Sequence, residues 1–263
     1  MEHLLSSWDR VAARMRGRPV NLFLDYDGTL TPIVARPELA TLSAENKRLL
    51  EDLVRHPRIR PAIITGRGLA DAKRLVRVGG LVFAGNHGFE LEGASLDLSA
   101  LIPARDRETI RALVRDLRRA LAGIDGVIVE DKGVTLSVHY RGVTARDRRR
   151  VDRIFRDTTR SAAETGRVRI TSGKMVYEIR PPLKWDKGKI VRRLMRTPEF
   201  AGNGRPAATW YFGDDVTDED AFRALGARGW TVYVGRPRAS AARFYLKDTR
   251  EVTTCLRRLA TLP

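Results

Sequence analysis

The sequence predicts an α/β protein, a doubly wound parallel sheet core with an inserted α+β domain. Three observations predict it. Near both ends of the chain, short apolar runs that stop at polar residues alternate with stretches of helical periodicity. From about Pro103 that rhythm gives way to helix, hairpin, helix, hairpin, closed by Pro181-Pro182. From Asp186 the strand-helix alternation resumes. The expected division is a Rossmann-like core of residues 1–103 with 184–263, and an insert of residues 104–183.

Taken in order, residues 8–16 read as a short amphipathic helix. Asn21 to Asp25 is an apolar run ending abruptly in carboxylates and Gly28, as a buried parallel strand reads when it delivers side chains at its C-terminal edge. Residues 43–55 carry apolar positions at helical spacing (Leu49, Leu50, Leu53). Pro61 to Thr65 is a second strand stopped by Gly66; a helix follows to about Val76, then a strand over Leu81 to Ala84. In the insert, helices are expected over 105–122 and 144–164. Hairpins are expected around Asp131-Lys132-Gly133 and Ser172-Gly173. The core then continues with a helix to about Met195, a strand over Thr209 to Gly213, a helix over 218–225, a strand over Trp230 to Val234 and a last helix from about Arg250 to Ala260.

Composition narrows the class. The chain has 263 residues, with 49 Lys plus Arg against 32 Asp plus Glu, a formal charge of +17. That field attracts anions. The basic residues are scattered along helix faces, however, so nucleic acid is not the expected primary partner. No apolar run is long enough to span a bilayer, and Glu2 sits where a signal peptide wants positive charge. Cys255 is the only cysteine, which excludes an internal disulfide. A cytoplasmic, monomeric enzyme is expected.

Two acid clusters carry chemistry. In Asp25-Tyr26-Asp27-Gly28-Thr29, carboxylates two residues apart follow a strand, at the edge where open α/β sheets bind ligands. Such close like charges call for a cation or a shared proton. One carboxylate can attack phosphorus while the other handles protons. An Asx turn is the plainer reading of the same residues. In Gly213 to Asp220, acids at 214, 215, 218, 219 and 220 follow a second apolar strand. Oxygen ligands of this kind suit Mg2+, whereas acids at a helix start also answer the helix dipole. Thr65-Gly66-Arg67 offers a hydroxyl and free N–H groups at a helix start, and Lys187 opens the helix after the insert.

These four segments, in this order, resemble the haloacid-dehalogenase-like phosphatases. The resemblance implies Asp25 as nucleophile, Asp27 as general acid/base, and Thr65 and Lys187 as phosphoryl contacts. It implies Mg2+ held by Asp25, the Asp27 carbonyl and Asp214, with Asp215 and Asp218 as supporting acids. The insert, between the second and third motifs, resembles the α/β cap of the sugar-phosphatase branch.

Within that branch the chain resembles the trehalose-6-phosphate phosphatases over nearly its full length, through LFLDYDGTL (22–30), ITGR (64–67), GNHGFE (85–90), VEDKGVTLSVHYR (129–141), GKMVYEIRP (173–181), WDKG (185–188) and YFGDDVTDEDAF (211–222). Thr65 replaces the more frequent Ser and keeps the hydroxyl. The implied substrate is trehalose 6-phosphate. The implied contacts are Asp25, Tyr26, Asp27, Arg67, Asn86 and His87 on the core and Lys132, His139, Arg141, Lys174 and Glu178 on the cap. The resemblance also implies that Glu90 sits with Asn86 and His87 on the core beside the cleft. Lys174 and Glu178, four apart on a strand, share a face. The bland reading of the cap residues is ordinary hairpin surface, and His139 could equally turn inward. Three alternatives stay open: a phosphatase of sucrose or mannosylglycerate phosphate, a mutase, and a basic binding module without catalysis.

Overall fold

The computed structural model describes residues 1–262 apart from 35, 99, 100, 174 and 203. The chain forms two compact units, Met1–Asp97 with Trp185–Pro263, and Leu98–Lys184.

The first unit is built on strands β1 (Glu2–His3), β2 (Val20–Leu24), β3 (Ile59–Ile64), β4 (Val82–Gly85) and β5 (Glu90–Glu92), with helices α1 (Trp8–Met15), α2 (Ala44–Arg55) and α3 (Leu69–Val76) among them. The second unit contains α4 (Ala104–Leu121), β6 (Ile128–Asp131), β7 (Leu136–His139), α5 (Ala145–Glu164), β8 (Arg169–Gly173) and β9 (Val176–Arg180). The chain then completes the first unit with α6 (Lys187–Leu194), β10 (Ala208–Gly213), α7 (Glu219–Leu225), β11 (Trp230–Val234), β12 (Phe244–Leu246) and α8 (Thr249–Ala260).

The large sheet has the order β1-β12-β11-β10-β2-β3-β4-β5. Every pairing is parallel except β4 with β5, which runs antiparallel. The expected parallel sheet carries one antiparallel strand at this edge. β5 follows β4 through a tight turn too short for a crossover helix, so it can only return antiparallel. β1, β5 and β12 span two or three residues each, too short for periodicity to show.

All five residues of β2 are buried, because the strand is covered on both faces. Leu22 and Leu24 join Trp210 and Phe212 in one core with Leu50 and Leu53 of α2 and Val252 and Leu256 of α8. Alternate residues face the other way: Phe23 lies 5.2 Å from the ring of Phe200, and Tyr211 meets Phe222 of α7 edge-on. The chain winds outward from β2 through β3 and β4, and outward again on the other side through β10, β11 and β12. The order therefore reverses between β2 and β10, the topological switch point where such sheets place ligands.

The second unit packs α4 and α5 on one face of an antiparallel sheet ordered β6-β7-β9-β8. Leu136, Val138 and Ile179 are buried against Ile110, Leu113 and Leu117 of α4 and Val151 and Phe155 of α5. Among the described residues no helix is long and apolar enough to cross a membrane.

Candidate active site

Parallel pairing in register carries the ends of β2, β3 and β10 to one rim: Leu24 lies opposite both Phe212 and Ile63. Asp25 continues the ladder, its N–H donating to the carbonyl of Phe212 at 2.9 Å. The next residues turn back sharply, and Gly28 takes φ +80°, where a side chain is strained. A β-carbon on Gly28 would lie 2.1 Å from Asp214 Oδ2, so the two acid-tipped loops are in contact at this glycine.

Asp25, Asp214 and Asp218 each bring a carboxylate oxygen within 4.8 Å of the others. Lys187, buried at the start of α6, donates to Asp25 Oδ1 and Asp218 Oδ1, both at 2.7 Å. Gly188 makes that close approach workable, since a β-carbon there would sit 2.3 Å from the carbonyl of Asp220. Three carboxylates thus face one ammonium with little water to screen them.

The protonation equilibria follow. Burial raises the Asp25 carboxyl well above its usual range, Lys187 pulls it down, and Asp218 and Asp214 push it up again. Burial and the Asp218 charge lift Asp214 to about 7. For Lys187 burial works against the charge, but Asp218 and Asp25 outweigh it and hold the ammonium above its ordinary value.

The carboxylates divide by what already occupies them. Asp218 Oδ1 accepts from Lys187 and from the Tyr211 hydroxyl at 2.7 Å, and its Oδ2 accepts from the N–H groups of Asp214 and Asp215 at 3.1 and 3.0 Å. A carboxylate has about four lone-pair sites, so Asp218 is saturated by protein donors. Asp215 is exposed and closes a capping box with Asp218. Asp214 Oδ1, by contrast, is buried with no hydrogen-bond partner among the described residues. A buried orphan oxygen beside uncompensated negative charge fits a hard divalent cation.

The remaining core residues surround this point. Thr65, 1% exposed, accepts the Arg67 N–H at 3.1 Å through its hydroxyl. Arg67 grips the Asp27 carboxylate with two nitrogens, at 2.7 and 2.6 Å. The Tyr26 side chain is fully buried, and its hydroxyl donates to the carbonyl of Ala40 at 2.6 Å, so only its main chain can face a ligand. Asn86 and His87 both hold left-handed backbone, φ 49° and 57°, and clamp the loop after β3: Asn86 N–H donates to Arg67 O at 2.7 Å and His87 N–H to Thr65 O at 2.8 Å. Sequence reasoning placed Glu90 beside Asn86 and His87 without assigning it a supporting role. One of its oxygens accepts from Asn86 Nδ2 at 2.6 Å and from Leu69 N–H at 2.8 Å.

In the second unit the helix-free face of the sheet is polar. Glu178 stands opposite both Ser137 and Thr171, and Glu130 opposite Ser137. His139 turns to this face, where its Nε2 lies 2.8 Å from Glu130 Oε2. Lys132 Nζ lies 3.6 Å from the same oxygen, and Arg180 pairs with Glu178. Arg141 is exposed just beyond β7, and Lys174 lies outside the described residues. Glu130 and Arg180 were not singled out from sequence; period-two alternation with Glu178 marks Arg180, whereas Glu130 reaches this face through the pairing of β6 with β7.

Similarity to known proteins agrees with this geometry. The chain is 34% identical over 97% of its length to a probable trehalose-phosphate phosphatase D of Arabidopsis thaliana, covering 71% of that protein. It is 36% identical over 95% of its length to the trehalose-phosphate phosphatase of Mycobacterium marinum, covering 65% of it. Among solved structures, the C-terminal domain of Candida albicans trehalose-6-phosphate phosphatase matches 94% of each chain at 27% identity, with a TM-score of 0.75. The family model for trehalose-phosphatase matches residues 23–249, and the chain belongs to that family.

Proposed function

We propose that this protein hydrolyses trehalose 6-phosphate to trehalose and inorganic phosphate through a phosphorylated Asp25. The observation that carries the reading is the meeting of Asp25, Lys187 and Asp214 at the sheet's switch point, beside the loop of Thr65. An Asp25 oxygen attacks phosphorus and the bond from phosphorus to the sugar oxygen breaks, with Asp27 giving that oxygen a proton. Water then attacks the same phosphorus, Asp27 takes its proton, and the Asp25 carboxylate and phosphate are released. Lys187 and Thr65 offer a charge and a hydroxyl to the phosphoryl oxygens.

Mg2+ is the cofactor of this reading. Asp25, Asp214 and the Asp27 carbonyl would hold it, with Asp218 and Asp215 shaping the loop behind. When bound, the ion neutralises charge on the phosphoryl group. The polar face carrying Lys132, His139, Arg141 and Glu178, joined by Glu130 and Arg180, recognises the sugar hydroxyls. Its support is the concentration of charged hydrogen-bonding groups on the one face of that sheet without helices.

The test is phosphate release from trehalose 6-phosphate, sucrose 6-phosphate and mannosylglycerate phosphate, with Mg2+ and with chelator. Release from trehalose 6-phosphate above the others, abolished by chelator, is expected. Asp25→Asn should be folded and inactive. Turnover by Asp25→Asn near that of the unsubstituted protein would end this reading.

A further inference from the structure

The position of Arg67, at a strand end beside a hydroxyl and an anion-binding turn, suggests a phosphate ligand. Its contacts describe another task. Nε and Nη2 reach Asp27 Oδ2 and Oδ1 at 2.7 and 2.6 Å, a fork meeting both oxygens of one carboxylate. The third nitrogen, Nη1, meets Asp71 Oδ2 at 2.8 Å. The guanidinium carbon lies 5.4 Å from the centre of the Tyr26 ring.

These supports are themselves fixed. Asp71 sits in the first turn of α3, and its other oxygen accepts from Arg74 Nη2 at 2.5 Å. Tyr26 is anchored by its hydroxyl on Ala40 and by complete burial. The guanidinium is thereby held by a helix on one side and a core aromatic on the other, independently of Asp27. The arginine side chain is 10% exposed, whereas that of Asp27 is 40% exposed. A short, half-exposed acid would otherwise be free to turn among its rotamers.

We infer that Arg67, oriented by Asp71, is a positioning residue that aims the Asp27 carboxyl at the leaving sugar oxygen. This rests on the proposed reaction, with Asp27 as its acid. A general acid contributes about 10²–10⁴-fold, and that contribution depends on geometry. Asp71 accepts from Arg67 and Arg74, and in this reading it acts through Arg67. Dephosphorylation, in which Asp27 takes the water proton, follows departure of the leaving group and is common to all substrates, so it does not enter kcat/KM. In that parameter the effect of Asp71 should appear only where a leaving group needs a proton.

The experiment compares kcat/KM for trehalose 6-phosphate, whose sugar oxygen must be protonated, with that for 4-nitrophenyl phosphate, whose phenolate leaves without a proton. Asp71→Asn should lower the first about tenfold and leave the second within about twofold, since part of the acid's contribution is lost. Asp71→Glu, which restores a carboxylate, should recover most of the loss. Asp27→Asn should show the same bias more strongly. An equal fall on both substrates, or no fall on either, overturns the inference. If Asp71→Asn does not fold, Arg67→Lys, which keeps the charge and loses the fork, must show the bias or the inference fails. Failure of the unsubstituted protein to hydrolyse either substrate removes the underlying reaction, and the inference with it. Hydrolysis of both with an unbiased Asp71→Asn removes the inference alone.

Discussion

Lys187 and Asp218 form an ion pair at 2.7 Å with side chains 3% and 0% exposed, and that pair joins the start of α6 to the loop after β10. The same lysine holds Asp25 at 2.7 Å, so a single ammonium ties together three segments distant in sequence.

Removing the Asp218 charge should therefore cost stability as well as activity. In Asp218→Asn one of the two carboxylate oxygens becomes an N–H donor, facing either the Lys187 ammonium or two backbone N–H groups. Breaking a buried pair costs roughly 3–5 kcal/mol, and the surviving contact to Asp25 places the loss near the lower figure, about 3 kcal/mol. Urea denaturation measures it. A loss below about 0.5 kcal/mol, the range of ordinary surface changes, would contradict the saturated role assigned to Asp218.

Gly28→Ala should uncouple the two acid loops. The added carbon falls on Asp214 Oδ2, at 2.1 Å, and the backbone is already at φ +80°. A misplacement of about 1 Å in such a site can cost on the order of 10²-fold in rate. Steady-state assays should show that fall, together with weaker Mg2+ dependence.

The response to Mg2+ should depend on pH. Burial and the Asp218 charge push Asp214 up to about 7 in the folded chain, from about 3.9 for an ordinary aspartate, so between those pH values the metal-free folded state holds a proton that the unfolded chain releases. Metal-free stability is then greatest below about pH 4 for this group and declines as pH rises through about 7. A cation favours the ionised form and reverses the decline. The increase in Tm on adding Mg2+ should accordingly be larger at pH 8 than at pH 5. An equal increase at both would disconnect Asp214 from the metal.

Glu90→Ala should loosen the clamp on Thr65. It removes the acceptor for Leu69 N–H and Asn86 Nδ2, beside two residues in left-handed backbone. Leaving a buried donor unsatisfied costs about 1–3 kcal/mol. Hydrogen exchange at the Leu69 amide should quicken, and denaturation should report a loss in that range.

Much of the site was legible because its residues are neighbours in sequence. Asp25 with Asp27, and Asp214 with Asp218, announce themselves as acids after apolar strands. The fate of Arg67 was not legible: Asp71 is four residues away on α3, but Asp27 lies on the loop after β2, and only the parallel pairing of β2 with β3 brings both carboxylates to one guanidinium. The supporting role of Glu90 was missed for a related reason. Its work is to accept N–H groups from Leu69 and Asn86, and backbone donors leave no trace in residue type.

By itself the sequence determined which strands are buried, that β2 and β10 end in clustered carboxylates, and that a helical and hairpin module interrupts the core. Those features follow from local periodicity and from the polarity of single residues. The resemblance implied how the acids divide their labour, and only the tertiary structure supplies a physical reason for that division. Saturation of Asp218 by Lys187, Tyr211 and two backbone N–H groups, against an orphan oxygen on Asp214, depends on distances set by strand register and by glycines that let chains touch. Hydrogen-bond capacity is counted in three dimensions, and two aspartates alike on paper become a brace and a candidate ligand.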